Sequence, residues 1–366
     1  FQAEDGIRDF CLSRGLGDVY KRQDLLFRAA NSNPSKTYCK SPDHEFTYQQ
    51  FTTACIKLSN EIAKKKINNE RIGIFLPNSI LFLISYFAIL MSGNRPALLN
   101  YLLPDIALSK LIDNLEPSLL ISDKAPLKSE GIIVKIEDYL ELEESSIDEK
   151  DFRCESSEVG AILFSGGTTG IPKQINHSHK CIISMVDRME WGWPTTLNER
   201  WLVVAPFTHI YGFLTGVTNP LLKSGTVFIP DAFDPNLVVE KLSSEEITIF
   251  GGGPPAIYQA LLSVEKLEKS QVPHLRVCPG GGAQNPEADH KKWKEKNGIP
   301  INDQSTTQGL HNFGQDFIQT IQQIEIYKGP SGAHFGPSAI GGAINFVTAI
   351  DYVNKFSISG HNGKNN

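Results

Sequence analysis

Residues 159–173 read VGAILFSGGTTGIPK, a short apolar run that empties into a loop of glycines and hydroxyls and closes on a lysine. The run 159–164 has the length and composition of a buried strand. In the loop, Gly166, Gly167 and Gly170 free the backbone to crowd its N–H groups around an anion. Ser165, Thr168 and Thr169 add hydroxyl donors, and Lys173 supplies a point charge suited to phosphate oxygens. This chemistry suits a polyphosphate. It is not a Walker loop, because Lys173 follows Pro172 and precedes Gln174 rather than Ser or Thr. The alternative, a glycine-rich turn with an incidental lysine, explains less of the pattern.

Working outward, the chain reads as strands alternating with helices. Thr47 and Gln50 form a capping box, followed by Phe51, Cys55, Leu58 and Ile62 at helical spacing and an exposed Lys64, Lys65, Lys66 end. Residues 71–76 predict a strand broken by Pro77 and Asn78, and residues 80–91 a helix buried all round. Further strands are predicted at 118–122, 202–205, 226–229, 248–251 and 275–278. The fold class is α/β, with doubly wound sheets flanked by helices, and in such sheets ligands collect beyond the strand C-termini.

Composition bounds the function. The chain has 366 residues, 40% hydrophobic and 21% charged, which describes globular rather than disordered protein. A net charge of -6 provides no basic stripe, so nucleic acid is not an expected partner. The six cysteines lack any Cys-x-x-Cys pair and read as reduced thiols, with no metal site. His177 and His179 stand two apart and could not share one helical face as ligands. Residues 80–91 fall short of the about 20 apolar residues a bilayer crossing needs. No export signal opens the chain, so the expected compartment of its main part is the cytoplasm.

With these elements in place, residues 24–300 resemble the large N-terminal domain of the adenylate-forming, AMP-binding superfamily of acyl-CoA synthetases and ligases. The resemblance rests on residues 71–78 with the helix behind them and on Ile162 to Lys173. It rests also on Pro206-Phe207-Thr208-His209-Ile210-Tyr211-Gly212 and on Gly280-Gly281-Gly282-Ala283. It implies that Ser165, Gly166, Gly167, Thr168, Thr169, Gly170 and Lys173 hold the β- and γ-phosphates of ATP. His209 would border the acyl pocket and help place the carboxylate, with Lys173 and His209 as the catalytic pair. Gly281, Gly282 and Ala283 would form a backbone wall beside the adenine. It further implies a carboxylic acid substrate, Mg2+ on the phosphates and coenzyme A as the acyl acceptor. Residues 251–255, Gly-Gly-Gly-Pro-Pro, read as a strand-to-helix turn that lines the acyl tunnel through Tyr258.

The pattern departs from the family at Gly166, Gln174 and Gln284, where serine, glycine and proline are usual. Beyond Lys296 the departure is larger. The expected Gly-Tyr-Gly-x-Thr-Glu motif, whose glutamate helps hold magnesium, does not follow, nor do a ribose-binding aspartate and a C-terminal catalytic lysine. Residues 297–366 instead resemble the plug domain of a TonB-dependent outer-membrane receptor. Asn297 to Asp303 match its early strand, and residues 324–348 its Gly-Pro and Gly-Gly-Ala-Ile-Asn signature. Residues 1–23 carry no period of two or 3.6 and resemble translated sequencing adapter. The reading therefore divides the chain into an adapter-like segment (1–23), a truncated AMP-binding domain (24–300) and a small α+β plug-like fragment (301–366). It predicts two reading frames joined across 297–301 and no turnover by the joined chain. The alternative function is that of the plug's parent, nutrient uptake at the outer membrane, and a membrane is expected only for that parent.

Overall fold

The computed structural model describes residues 22–124, 130–142, 158–165, 172–265, 267–268, 271–281, 287–298, 301–303, 321–328 and 342–348. In chain order the strands are β1 (Thr37–Lys40), β2 (Glu45–Thr47), β3 (Arg71–Phe75), β4 (Arg95–Leu98), β5 (Leu119–Ser122), β6 (Gly131–Ile133), β7 (Val159–Ser165), β8 (Lys173–Ser178), β9 (Arg200–Val203), β10 (Thr226–Phe228), β11 (Ile249–Gly251), β12 (Cys278–Gly280), β13 (Ile301–Asp303), β14 (Ile321–Lys328) and β15 (Gly342–Thr348).

Two largely parallel sheets result. The first has the order β6-β5-β3-β4-β7-β8, and only its edge pair β7–β8 is antiparallel. The second has the order β11-β9-β10-β1-β2, again with one antiparallel pair, β1–β2, at its edge. The parallel pair β12–β13 extends this sheet through bridges Ile249 to Val277 and Gly253 to Gly280.

The alternation of side chains along these strands creates three packed cores. Ile72 and Ile74 of the first sheet, and Trp201, Val203, Val227 and Ile249 of the second, face helices Tyr48–Ala63 and Ile80–Met91, which lie between the sheets. Both helices are built for that place. The Thr47–Gln50 capping box forms in full and starts the first, while Ser79 caps the second at the Phe82 N–H. Residues Ile80–Met91 are buried on every face except at Leu81, as a uniformly apolar helix must be. The phenols of these two helices reach outward to backbone: Tyr48 donates to the Gly225 carbonyl at 2.7 Å and Tyr86 to that of Gly160 at 2.9 Å. On the outer face of the second sheet, Leu202, Phe228 and Phe250 meet helices Pro235–Ser244, Pro255–Leu262 and Glu287–Asn297. On that of the first, Phe75, Ala97 and Leu120 meet helix Asp105–Leu115. The layers thus run helix, sheet, helix, sheet, helix.

Most predicted strands are present with shifted ends, and the shifts have local causes. β9 opens at Arg200 rather than 202, because its ladder to β10 begins there. It stops at Val203, because Ala205 and Phe207 give their backbone groups to Asn78. β12 starts at Cys278 rather than 275, since the Leu275 N–H closes a turn onto the Val272 carbonyl at 3.2 Å. Strands β1, β2, β4, β6 and β8 have no counterpart in the sequence reading. β8, KQINHS, is polar and carries no alternation; it exists because the edge of β7 is there to pair with. Beyond β13, the described residues form one antiparallel pair, β14–β15, aligned from Ile321 with Thr348 to Lys328 with Gly342.

Candidate active site

The C-terminal ends of both sheets open on one cavity of about 530 Å³. β4 contributes Leu98 and the segment after it Asn100, and β7 contributes Phe164 and Ser165. The segment after β9 contributes Ala205, Pro206, Thr208, His209 and Tyr211; that after β11, Gly253 and Pro254; and that after β12, Gly281. Leu103, Leu111 and Pro172 complete an apolar wall. Ser165 and His209, distant in sequence, therefore share a surface, which is what the ends of parallel strands provide. The loop after β7 is the connection of an antiparallel hairpin. Ser165 and Lys173 stand opposite each other in the β7–β8 ladder, so the loop returns to where it left. Gly166, Gly167, Thr168, Thr169 and Gly170, and likewise Gly282 and Ala283, lie outside the described residues. Gln174, where the family usually has glycine, ties β8 to helix Asp105–Leu115 by donating to the Asn114 carbonyl at 3.1 Å.

His209 sits at the mouth of a short helical turn. Its backbone N–H bonds the Pro206 carbonyl at 3.0 Å, and its Nδ1 accepts the Tyr211 N–H at 3.2 Å. The ring opens toward the cleft, yet the walls around it remove enough water to lower its pKa from the ordinary 6.5. A neutral ring accepting at Nδ1 carries its proton on Nε2, so it presents a donor to the cavity. Gly212 makes this turn possible. A methyl group there would lie 2.6 Å from the Pro206 carbonyl carbon, inside van der Waals contact.

The Gly253–Gly281 side of the cavity is bracketed from behind. Tyr211 and Tyr258 each donate to the Pro279 carbonyl at 2.6 Å, and the Gly281 N–H bonds the Gly253 carbonyl at 3.1 Å. Gly253 has φ +97°, a conformation that favours glycine, and the Tyr211 ring lies against it. Tyr258 is fully buried and packs edge-on against Trp293, with centroids 4.9 Å apart. It is not among the cavity-lining residues, which corrects the expectation that it lines an acyl tunnel. Burial raises both phenol pKa values well above the ordinary 10.0, so both remain donors.

Comparison with known proteins decides the family. The AMP-binding enzyme model matches residues 26–307. The chain belongs to the AMP-binding enzyme family. Among curated members it is 24% identical to a long-chain-fatty-acid–CoA ligase of Bacillus subtilis, covering 75% of this chain and 58% of that protein. It is also 24% identical to a feruloyl-CoA synthase of Amycolatopsis (71% and 54%) and 25% identical to gramicidin S synthase 2 of Brevibacillus brevis (70% and 6%). The chain thus spans less than two thirds of each of these family members. The fold agrees with that of the N-terminal domain of FACL13 from Mycobacterium tuberculosis, at TM-score 0.67 and 20% identity, covering 78% of this chain and 75% of that one. It agrees equally with ATP-bound MatB from Rhodopseudomonas palustris, at TM-score 0.66 and 20% identity (76% and 58%). The TonB-dependent Receptor Plug Domain model matches residues 296–343, so the two matches share 296–307. Within that shared stretch, β13 pairs with β12 and Ile301 is buried in the same core as Trp293.

Of the residues the sequence reading singled out, Ser165, His209 and Gly281 line the cavity, whereas Lys173, opposite Ser165 in the β7–β8 ladder, is exposed and is not among the lining residues. The sequence reading missed Asn100 as a lining residue, and it took Asn78 only as the end of a strand and Tyr211 only as part of a motif. Asn78 and Tyr211 both belong to motifs the sequence singled out, but neither carries chemistry of its own that would mark it.

Proposed function

We propose that this chain carries the ATP- and acid-binding part of an enzyme that activates a carboxylic acid. The carboxylate oxygen attacks the α-phosphorus of ATP, forming an acyl–phosphate bond as pyrophosphate leaves. The thiol of coenzyme A then displaces AMP from the acyl carbon. The observation that carries this reading is the convergence of Ser165, His209 and Gly281 on one cavity within a chain that matches the AMP-binding family over residues 26–307. Ser165 and Lys173, at the two ends of the loop, bind the β- and γ-phosphates together with residues 166–170. His209, neutral with Nε2–H outward, orients the acid by donating to one carboxylate oxygen. The apolar wall of Leu98, Leu103, Leu111 and Phe164 excludes water from the reacting groups. Among the described residues no group of three or more His, Cys, Asp or Glu gathers that could hold a metal ion. In this reading Mg2+ accompanies the triphosphate, and no step is assigned to it.

Residues 24–300 form the AMP-binding unit of this proposal and 301–366 the plug-like one, with the seam inside the shared stretch. Because the residues after β13 follow the plug pattern, the chain binds nucleotide without completing turnover. Among the described residues no helix is long and apolar enough to cross a membrane. For the AMP-binding unit we propose a cytoplasmic origin.

Titration of ATP into the chain and its Lys173→Ala variant tests the site. Binding weakened at least about tenfold in the variant supports it, since a charge-assisted bond contributes about 1.5–3 kcal/mol. Equal affinity refutes it. ATP–pyrophosphate exchange by the purified chain would contradict the lack of turnover. Sequencing across codons 297–301 from source DNA tests the seam, and an uninterrupted natural gene there would end it.

A further inference from the structure

The Pro279 carbonyl is held by side chains from two different elements. Tyr211 comes from the turn after His209, and Tyr258 from helix Pro255–Leu262. Each hydroxyl donates to it at 2.6 Å, using both of the oxygen's acceptor sites. Two residues on, Gly281 lines the cavity. Its N–H is pinned to the Gly253 carbonyl at 3.1 Å, and the Tyr211 ring covers Gly253 from the other side. Tyr211 also donates its backbone N–H to His209 Nδ1 at 3.2 Å. One residue therefore touches the histidine on the acid side of the cleft and the backbone on its nucleotide side.

We infer that Tyr211 and Tyr258 are positioning residues that set the height of the Pro279–Gly281 backbone in the cleft, and so determine affinity for the nucleoside end of the nucleotide independently of its phosphates. This rests on the nucleotide reading proposed above. The pair acts through Pro279 and touches no substrate. Phenol suits such a brace because it is rigid, with two side-chain torsions, and its hydroxyl donates to the Pro279 carbonyl from a packed ring.

The experiment uses the full chain and two probes, AMP and inorganic tripolyphosphate, measured by calorimetry on wild type, Tyr211→Phe, Tyr258→Phe, the double variant and Lys173→Ala. Phenylalanine keeps the ring packing and removes only the hydroxyl, and a thermal melt of each variant reports folding. The expected result is AMP affinity lowered about three- to tenfold by each single variant and further by the double, where Pro279 has no donor left, with tripolyphosphate affinity unchanged. Lys173→Ala should show the converse. Equal losses for both probes in the tyrosine variants would assign them a merely structural role and overturn the inference, as would unchanged AMP affinity. If wild type binds neither probe, the nucleotide reading itself falls and takes this inference with it. Wild-type binding of both probes that Lys173→Ala alone disturbs removes the inference and leaves that reading standing.

Discussion

Asn78 grips the backbone of the segment that carries His209: its Oδ1 accepts the Phe207 N–H at 2.8 Å and its Nδ2 donates to the Ala205 carbonyl at 2.8 Å. The amide stands in for one rung of a ladder, and it links the end of β3 in the first sheet to the end of β9 in the second. It is thus a side chain that joins the two sheets beside the cavity.

Replacing Asn78 by alanine leaves both backbone groups without their partner and lowers stability by about 1–3 kcal/mol. Aspartate retains only the acceptor and sets a carboxylate against the Ala205 carbonyl, so it should be no better. Urea denaturation midpoints check this. Midpoints for both variants equal to wild type would show that the clamp contributes nothing.

Gly212→Ala forces a methyl group onto the Pro206 backbone, which cannot rotate aside as a side chain could. The expected destabilisation is about 3 kcal/mol or more, at the upper end for overpacking, with His209 displaced. Gly192, where an added methyl group meets nothing within 4 Å, is the control. Comparable melting temperatures for the two alanine variants would contradict the packing described.

Glu199 is buried beneath the second sheet. Burial would by itself raise its pKa, but donors from Arg276, Thr248 and Thr196 outweigh it and hold the carboxyl below the ordinary 4.5. A depressed value in the fold means that the stabilisation is fully present above about pH 4.5 and is lost as pH falls through the lowered value. Glu199→Gln should lower stability by about 2 kcal/mol at pH 7, with the difference from wild type shrinking under acid. A pH-independent difference would show that the charge is not responsible.

His177 and His209 both have pKa values lowered from 6.5 by loss of hydration. Each ring is therefore neutral at pH 7 and protonates only on acidification below the free-histidine value. Histidine resonances followed by NMR should titrate below 6.5 at both positions. A His209 that titrates above 6.5 would contradict the loss of hydration described, and only a value above pH 7 would leave most rings without a free Nδ1 lone pair for the Tyr211 N–H at neutral pH.

Local signals carried most of the architecture. The Thr47–Gln50 box, the unbroken apolar run Ile80–Met91 and the short β-branched strands each specify their element through contacts within a few residues, so they are legible in one dimension. The polar strand β8 was not legible, since its only stabilisation is the partner edge of β7. The same holds for the layered arrangement of two sheets around two buried helices.

What the amino-acid order determined alone is which chemical groups are available: a phosphate-suited loop, a histidine in an apolar motif, a glycine wall, and a change of texture past residue 301. What only the tertiary structure decided is that Ser165, His209 and Gly281 share one cavity, and that Asn78, Tyr211 and Tyr258 hold its backbone in place. The physical reason is range. Propensity and capping act over one turn or strand, whereas a hydrogen bond from Asn78 to Phe207 or from Tyr211 to Pro279 spans 129 or 68 positions and exists only once packing has brought its ends together.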